Sequence, residues 1–259
     1  MTSPLLDPAA RLVIGHRGAC AHAPENTLRS FDLAVANGVD ALELDVHLSA
    51  DGRVVVIHDG TLDRTTDARG AVASLPFDRI RTADAGARYT RDGTVFPFRS
   101  REVRVPAMEE VLERYPETPL LIEVKTAAAG EPLRRVLERF GAAPRCVIGA
   151  FDRAALGPFR APPWHICASQ AEVQRFLVSV LLPVPLRRTG YEVLSIPPSW
   201  HGIPFPIEAI ARTARRHGMA VHIWTVDDPR QARSLWRRGV NGVITNDPES
   251  VLAARTMVR

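Results

Sequence analysis

Short apolar runs rich in Val, Ile and Leu alternate with stretches of helical spacing from one end of the chain to the other. This alternation constrains the fold more than any other feature, because it is the pattern of a parallel sheet joined by crossover helices. Eight runs read as strands, at residues 12–15, 41–46, 120–125, 146–151, 165–168, 192–196, 220–225 and 242–245. Eight helical patterns are interleaved with them, at 27–37, 107–115, 131–140, 153–159, 171–182, 206–217, 229–238 and 248–257. Two of these open on a proline preceded by Asp228 or Asp247, and others stop at Gly141, Gly218 or Gly239, as helix limits do. A ninth apolar run, 53–57, follows the second strand after only Ser49-Ala50-Asp51-Gly52. A parallel crossover needs a dozen or more residues, so this run is expected to return antiparallel, in a hairpin turned at Asp51-Gly52. The remainder is an α/β chain of the (β/α)8, or TIM-barrel, class, with a β-hairpin and a small insertion after strand 2. At 259 residues, without a Gly/Ser linker or an internal repeat, residues 1–259 are expected to be a single domain, with 60–104 as an insertion or cap.

Composition excludes several other classes. With 46% hydrophobic and 24% charged residues the chain is neither disordered nor fibrous. A net charge of +4 invites a nucleic-acid reading, but the arginines are dispersed. Their densest spots are the pairs Arg134-Arg135, Arg187-Arg188, Arg215-Arg216 and Arg237-Arg238, three of them on expected helices, so no nucleic-acid partner is expected. Of the 33 basic residues only Lys125 is a lysine. Cys20, Cys146 and Cys167 suggest neither a disulfide framework nor a zinc site. The first residues lack a secretory pattern, and the longest apolar run, 176–186, is interrupted by Pro183 and Pro185 and is too short to cross a bilayer. A soluble, cytoplasmic protein without an integral membrane segment is expected; its oligomeric state is left open.

Barrels of this class carry their chemistry at the C-terminal ends of the strands. His16 and Arg17 follow the first strand there; Glu43 and Asp45 share one face of the second, and Glu123 and Lys125 share one face of the third. The hairpin strand ends in His58-Asp59, and the seventh barrel strand ends in Trp224. Three carboxylates on neighbouring strands repel one another unless a cation lies between them, and oxygen-only ligands select a hard ion such as Mg²⁺ or Ca²⁺. Arg17 and Lys125 are suited to an anion, and two imidazoles exchange protons near neutrality. The combination describes a site that cleaves phosphodiesters.

These residues also carry a family resemblance. His16-Arg17-Gly18, Pro24-Glu25-Asn26-Thr27, Glu43-Leu44-Asp45-Val46, Asp51-Gly52, His58-Asp59, Leu62-Asp63-Arg64-Thr65-Thr66, Glu123-Val124-Lys125, Trp224-Thr225-Val226 and Gly242-Val243-Ile244-Thr245 follow one another in order over nearly the whole chain. The set resembles the glycerophosphodiester phosphodiesterase family. The resemblance implies metal-dependent hydrolysis of glycerophosphodiesters to sn-glycerol 3-phosphate and an alcohol, with one divalent cation, Mg²⁺ or Ca²⁺, as cofactor. By that analogy Glu43, Asp45 and Glu123 bind the metal, and Arg17 and Lys125 contact the phosphate. His16 and His58 are the acid and base, with His58 preferred as base. The glycerol 2-hydroxyl is the implied nucleophile, giving a cyclic phosphate that water opens.

Two departures stand out. Asp227 replaces the family's usual Asn and is expected to alter contacts to the glycerol hydroxyls, and Ala107-Met108 replaces the usual Thr-Leu before Glu109-Glu110. Other readings sit beside these. Glu25 and Asn26 either touch metal or substrate or merely open the first helix, with Asn26 placed as its N-cap. Trp224 is either a core aromatic or, as its strand-end position favours, a wall for the glycerol. His47 is read as facing away from Glu43 and Asp45, and His22, His165, His201, His217 and His222 have no evident partner. The apolar run 176–186, with Trp200 and Phe205, is a buried helix face or a funnel for a lipid tail. The competing functions are a lysophospholipase D-like phosphodiesterase and a catalytically silent barrel that binds a phosphorylated ligand.

Overall fold

A computed structural model describes residues 3–182, 184–186 and 190–255. Pro183, the Arg187-Arg188 pair and residues 256–257 of the expected last helix lie outside the described residues. The chain begins with a 3-10 turn, Pro4–Leu6, and then alternates as expected: β1 (Leu12–His16), α1 (Leu28–Asn37), β2 (Ala41–Leu48), β3 (Val54–Val56). After α2 (Phe77–Arg81) come α3 (Met108–Arg114), β4 (Leu120–Val124), α4 (Ala127–Arg139), β5 (Cys146–Gly149), β6 (His165–Ile166) and α5 (Gln170–Leu181). The remainder is β7 (Val193–Ile196), β8 (Ser199–Trp200), β9 (Ile203–Pro204), α6 (Ile207–Arg216), β10 (Ala220–Trp224), α7 (Pro229–Arg237), β11 (Gly242–Thr245) and α8 (Pro248–Arg255).

Eight strands pair in parallel in the order β6-β5-β4-β2-β1-β11-β10-β7. The two ends of that sheet meet through one bridge, Cys167 to Val193, backed by backbone bonds from Ala168 N to Val193 O and from Glu192 N to Ile166 O. The result is a nearly closed TIM barrel. β3 pairs antiparallel with β2, Val46 opposite Val56 and Leu48 opposite Val54, as the short connection requires.

Strand alternation decides what each side chain meets. Leu42, Leu44 and Val46 point outward into the layer between strands and helices, with Ile122, Ile148 and Val221. The intervening residues point inward. The floor of the barrel is filled by Leu12, Ile14, Leu121, Val147 and Ile244 and plugged from below by Leu5. Above that floor the inward positions become polar, at Glu43, Asp45 and Glu123.

Several expectations are corrected in detail. α4 begins at Ala127, not residue 131, because the Ala127-Ala128-Ala129 run is good helix-forming sequence and carries the helix past Pro132. The segment Arg153–Phe159 is 3-10 and not α, containing Gly157 and Pro158. β6 is only two residues long. The ribbon β8–β9 was not foreseen; His201 and Gly202 at its turn both have positive φ, 48° and 80°, as a tight hairpin demands. α3 has no side-chain cap at Ala107, where the usual Thr would supply one, and keeps half of a capping box: Ala107 N donates to Glu110 Oε2 at 2.9 Å.

The insertion after β3 packs on an apolar cluster of its own, with Val55 and Ile57 of the hairpin against Leu62, Phe77, Ile80 and Val105. The buried Asp84 ties it together, accepting from Gly86 N at 2.9 Å and Ser100 N at 2.7 Å.

Candidate active site

Glu43 and Asp45 from β2 and Glu123 from β4 meet inside the mouth of the barrel, each offering an oxygen within 4.8 Å of the others. Asp45 stands directly opposite Glu123 in the parallel register. Lys125 Nζ lies 2.7 Å from Asp45 Oδ1 and 2.7 Å from Glu123 Oε1. Burial and the charges of Asp45 and Glu123 together hold the Glu43 carboxyl well above the usual carboxylate range. Asp45, although burial acts the other way, is held below that range by Lys125 and Arg17. Lys125 is likewise raised, its burial outweighed by Asp45 and Glu123.

The turn after β1 brings Arg17 to this cluster. Arg17 and Gly18 have φ of 51° and 89°, and the chain at Gly18 lies so close to α1 that a Cβ there would fall 2.4 Å from Ser30 Oγ. Ser30 Oγ donates to Arg17 O at 2.9 Å and locks the turn. Arg17 N then donates to Glu43 Oε2 at 3.0 Å, while its guanidinium reaches Glu25 Oε1 at 2.8 Å and Asp45 Oδ2 at 3.2 Å. Asn26 does not cap α1. Its φ of 54° turns the amide inward, where it exchanges two hydrogen bonds with Asp45, and Thr27 caps the helix through Ser30 N.

The two histidines line the same cavity, each held at Nδ1. His16 Nδ1 lies 2.6 Å from Asn246 Oδ1, and its Nε2 is 4.0 Å from Glu43 Oε2. Burial, followed by the charge of Arg17, lowers its pKa. His58 Nδ1 lies 2.6 Å from Asp59 Oδ1. Arg64 clamps Asp59 with two bonds and Glu25 with two more, all of 2.7–3.0 Å, and so joins the His58 side of the mouth to Arg17. Arg64 pulls Asp59 far below the usual range.

Two participants escape the reading of the sequence: Arg64 sits inside the string Leu62–Thr66 without a role of its own, and Asn246 follows directly after the string Gly242–Thr245. Asp227 accepts from Asn246 N at 2.7 Å, Asn246 Nδ2 at 2.8 Å and Thr245 Oγ1 at 3.0 Å. The expectation for His47 is overturned. Alternation carries residues 43, 45 and 47 to one side of β2, and His47 Nε2 lies 3.0 Å from His58 O, bracing the hairpin that bears His58. His22 and His165 do have partners, Asp247 at 3.0 Å and Glu192 at 3.5 Å, and His217 Nδ1 lies 3.0 Å from Thr213 O.

His16, Arg17, Glu43, His58, Glu123, Lys125 and Trp224 line one cavity of about 310 Å³. Asp45 lies behind them, 1% exposed. Trp224 packs edge-on against Phe151, ring centroids 6.1 Å apart, and forms part of the wall.

Known proteins resemble this chain in sequence and in fold. Residues 16–250 match the model of the Glycerophosphoryl diester phosphodiesterase family. A glycerophosphodiester phosphodiesterase from Caldanaerobacter subterraneus subsp. tengcongensis is 30% identical over 250 residues, covering 93% of this chain and 96% of that protein. An Oleispira antarctica phosphodiesterase solved with the product sn-glycerol-3-phosphate superposes with a TM-score of 0.76 at 26% identity, covering 95% and 96% of the two chains. The glycerophosphoryl diester phosphodiesterase domain of a Mycobacterium tuberculosis protein shares the fold at a TM-score of 0.84 and 22% identity, over 95% and 99% of the chains.

Proposed function

The chain belongs to the glycerophosphoryl diester phosphodiesterase family, and on that premise we propose that it hydrolyses glycerophosphodiesters to sn-glycerol 3-phosphate and an alcohol with one divalent cation and two histidines. The observation that carries the reading is the convergence on one cavity of an acidic cluster, a half-buried arginine and two imidazoles whose Nδ1 atoms are engaged elsewhere.

The residues fit a hard cation. Glu43, Asp45 and Glu123 offer only oxygen, and Glu43 is driven toward its protonated form by burial and by its two neighbours, a burden that a positive ion would relieve. Mg²⁺ and Ca²⁺ are the hard ions that such oxygen ligands take. When bound, such an ion supplies positive charge to the phosphoryl oxygens as they gain electron density.

The chain's own residues do the rest. Arg17 and Lys125 present cationic donors toward an anion in the cavity. Because Asn246 Oδ1 can only accept, His16 Nδ1 carries the proton and Nε2 offers a lone pair, while burial keeps the ring neutral. His16 is therefore suited to take the proton from the glycerol 2-hydroxyl. His58, with a carboxylate at Nδ1, is suited to give one to the departing alcohol oxygen. This exchanges the two roles preferred from the sequence. Attack by the substrate's own hydroxyl, giving a cyclic phosphate, profits from the high effective concentration of a tethered nucleophile. In the second step the roles reverse, and water opens the ring.

Glycerol 3-phosphate release from glycerophosphocholine tests the reading. Turnover is expected with added divalent cation, is abolished by chelator, and falls at least about 100-fold in His16→Ala and in His58→Ala. Binding without turnover would instead identify a silent phosphate-ligand barrel, and turnover indifferent to chelator would remove the metal from the proposal.

A further inference from the structure

The cavity has two chemically different ends. One is the charged cluster; the other is walled by Val173 and Leu177 of α5, Ile196 and Pro197 after β7, and Trp200 and Phe205 around the β8–β9 ribbon. The glycerol and phosphate of a glycerophosphodiester are polar, and pressing them against such a wall costs hydration without return.

The apolar surface also continues out of the cavity. Val173 and Leu177 are four residues apart and share one helix face; Leu181, one turn further on that face, is 68% exposed. In the ribbon, Ile203 is paired with the cavity-lining Trp200 and is 70% exposed. Large apolar side chains left in water on two elements that wall one apolar cleft mark a binding surface for apolar material.

We propose that this end of the cavity holds the hydrocarbon chain of a monoacylated glycerol phosphodiester, so that lysophospholipids are preferred substrates. The inference rests on the phosphodiesterase reading above and specifies its substrate class. A 1-acyl lysophospholipid keeps the free 2-hydroxyl that the reaction uses. Hydrolysis breaks the bond between phosphorus and the headgroup oxygen. Water supplies the proton of the released alcohol and the hydroxyl of the lysophosphatidate, and the acyl ester is untouched.

The test compares glycerophosphocholine with hexanoyl, octanoyl and decanoyl lysophosphatidylcholine, each below its critical micelle concentration and with divalent cation present. Each methylene leaving water against the apolar wall favours the complex by up to about fourfold. The octanoyl compound is therefore expected to exceed glycerophosphocholine in kcat/KM by at least about tenfold. Leu177→Asp is expected to bring that ratio toward one; taking a ratio within one variant removes any general loss of folded enzyme. A series that is flat or falls with chain length overturns the inference and leaves the phosphodiesterase reading standing. Absence of turnover on every compound overturns the underlying reading. In that case, calorimetric binding of octanoyl lysophosphatidylcholine no tighter than that of glycerophosphocholine overturns the inference as well.

Discussion

The side-chain oxygen of Asn246 lies 2.6 Å from His16 Nδ1, and the same amide cannot turn over, because its nitrogen donates to Asp227 at 2.8 Å. Asp227 thus sets the orientation of Asn246, and Asn246 sets the tautomer of His16. A carboxylate at a position where Asn is usual in the family is accounted for by its three bonds to Thr245 and Asn246.

Asp227→Ala removes that anchor while leaving every cavity-lining side chain in place. kcat is expected to fall about tenfold, equivalent to about 1.4 kcal/mol, with KM changed less than about threefold. A fall confined to KM would show that Asp227 serves substrate binding instead.

The pH profile follows from the lowered pKa of His16. A base works when deprotonated, so a depressed pKa extends activity toward acid. The acid limb of kcat/KM is expected to fall below the ordinary histidine value of 6.5. A limb well above that value would exclude His16 as the base.

Divalent cation is expected to raise the thermal unfolding midpoint, since an ion bound only by the folded state adds about 2.7 kcal/mol at a hundred times its Kd. Glu43→Gln should lose most of this response. Differential scanning calorimetry with Mg²⁺, Ca²⁺ and neither separates the two ions.

Lys125, the lone lysine among 33 basic residues, fits a compact ammonium between two carboxylates, 2.7 Å from each. A planar guanidinium has other dimensions and donor directions. Lys125→Arg is expected to lower turnover at least about tenfold. Steady-state kinetics matching the wild type would make the lone lysine an accident of composition.

His222 is buried inside the barrel, and burial drives its pKa down to about 4, the Leu5 backbone acting the other way. Its folded value lies below its unfolded one, so the unfolded chain binds the extra proton in that interval and stability is lost as pH falls through it. The loss between about pH 7 and about pH 4 is expected to be roughly 3 kcal/mol. Urea titrations of wild type and His222→Leu at both pH values would measure it; equal pH dependence in the two would assign the loss to other groups.

The barrel was legible because burial on both faces writes near-continuous apolar runs, and because a connection of four residues permits only an antiparallel return. The carboxylates were legible for the same geometric reason: positions two apart on a strand share a side. What escaped depends on contacts between distant segments. Nothing local to Arg64 says that it will bind Glu25, 39 residues away, or to Asn246 that it will meet His16. Asn26 could be read two ways because an Asn before a helix suits an N-cap, and only its left-handed backbone, which sends the amide to Asp45, decides between them. His47 was misplaced although alternation puts it beside Glu43 and Asp45.

Among the described residues the barrel closes on itself through one bridge between Cys167 and Val193, and Cys167 and its neighbour Ala168 are also cavity wall. The cylinder therefore has a seam, and the cavity lies along it. Among the described residues every other joint between neighbouring strands of the barrel is a ladder of at least two paired positions. A ligand in this cavity would therefore lie against the joint with the fewest paired positions in the described sheet.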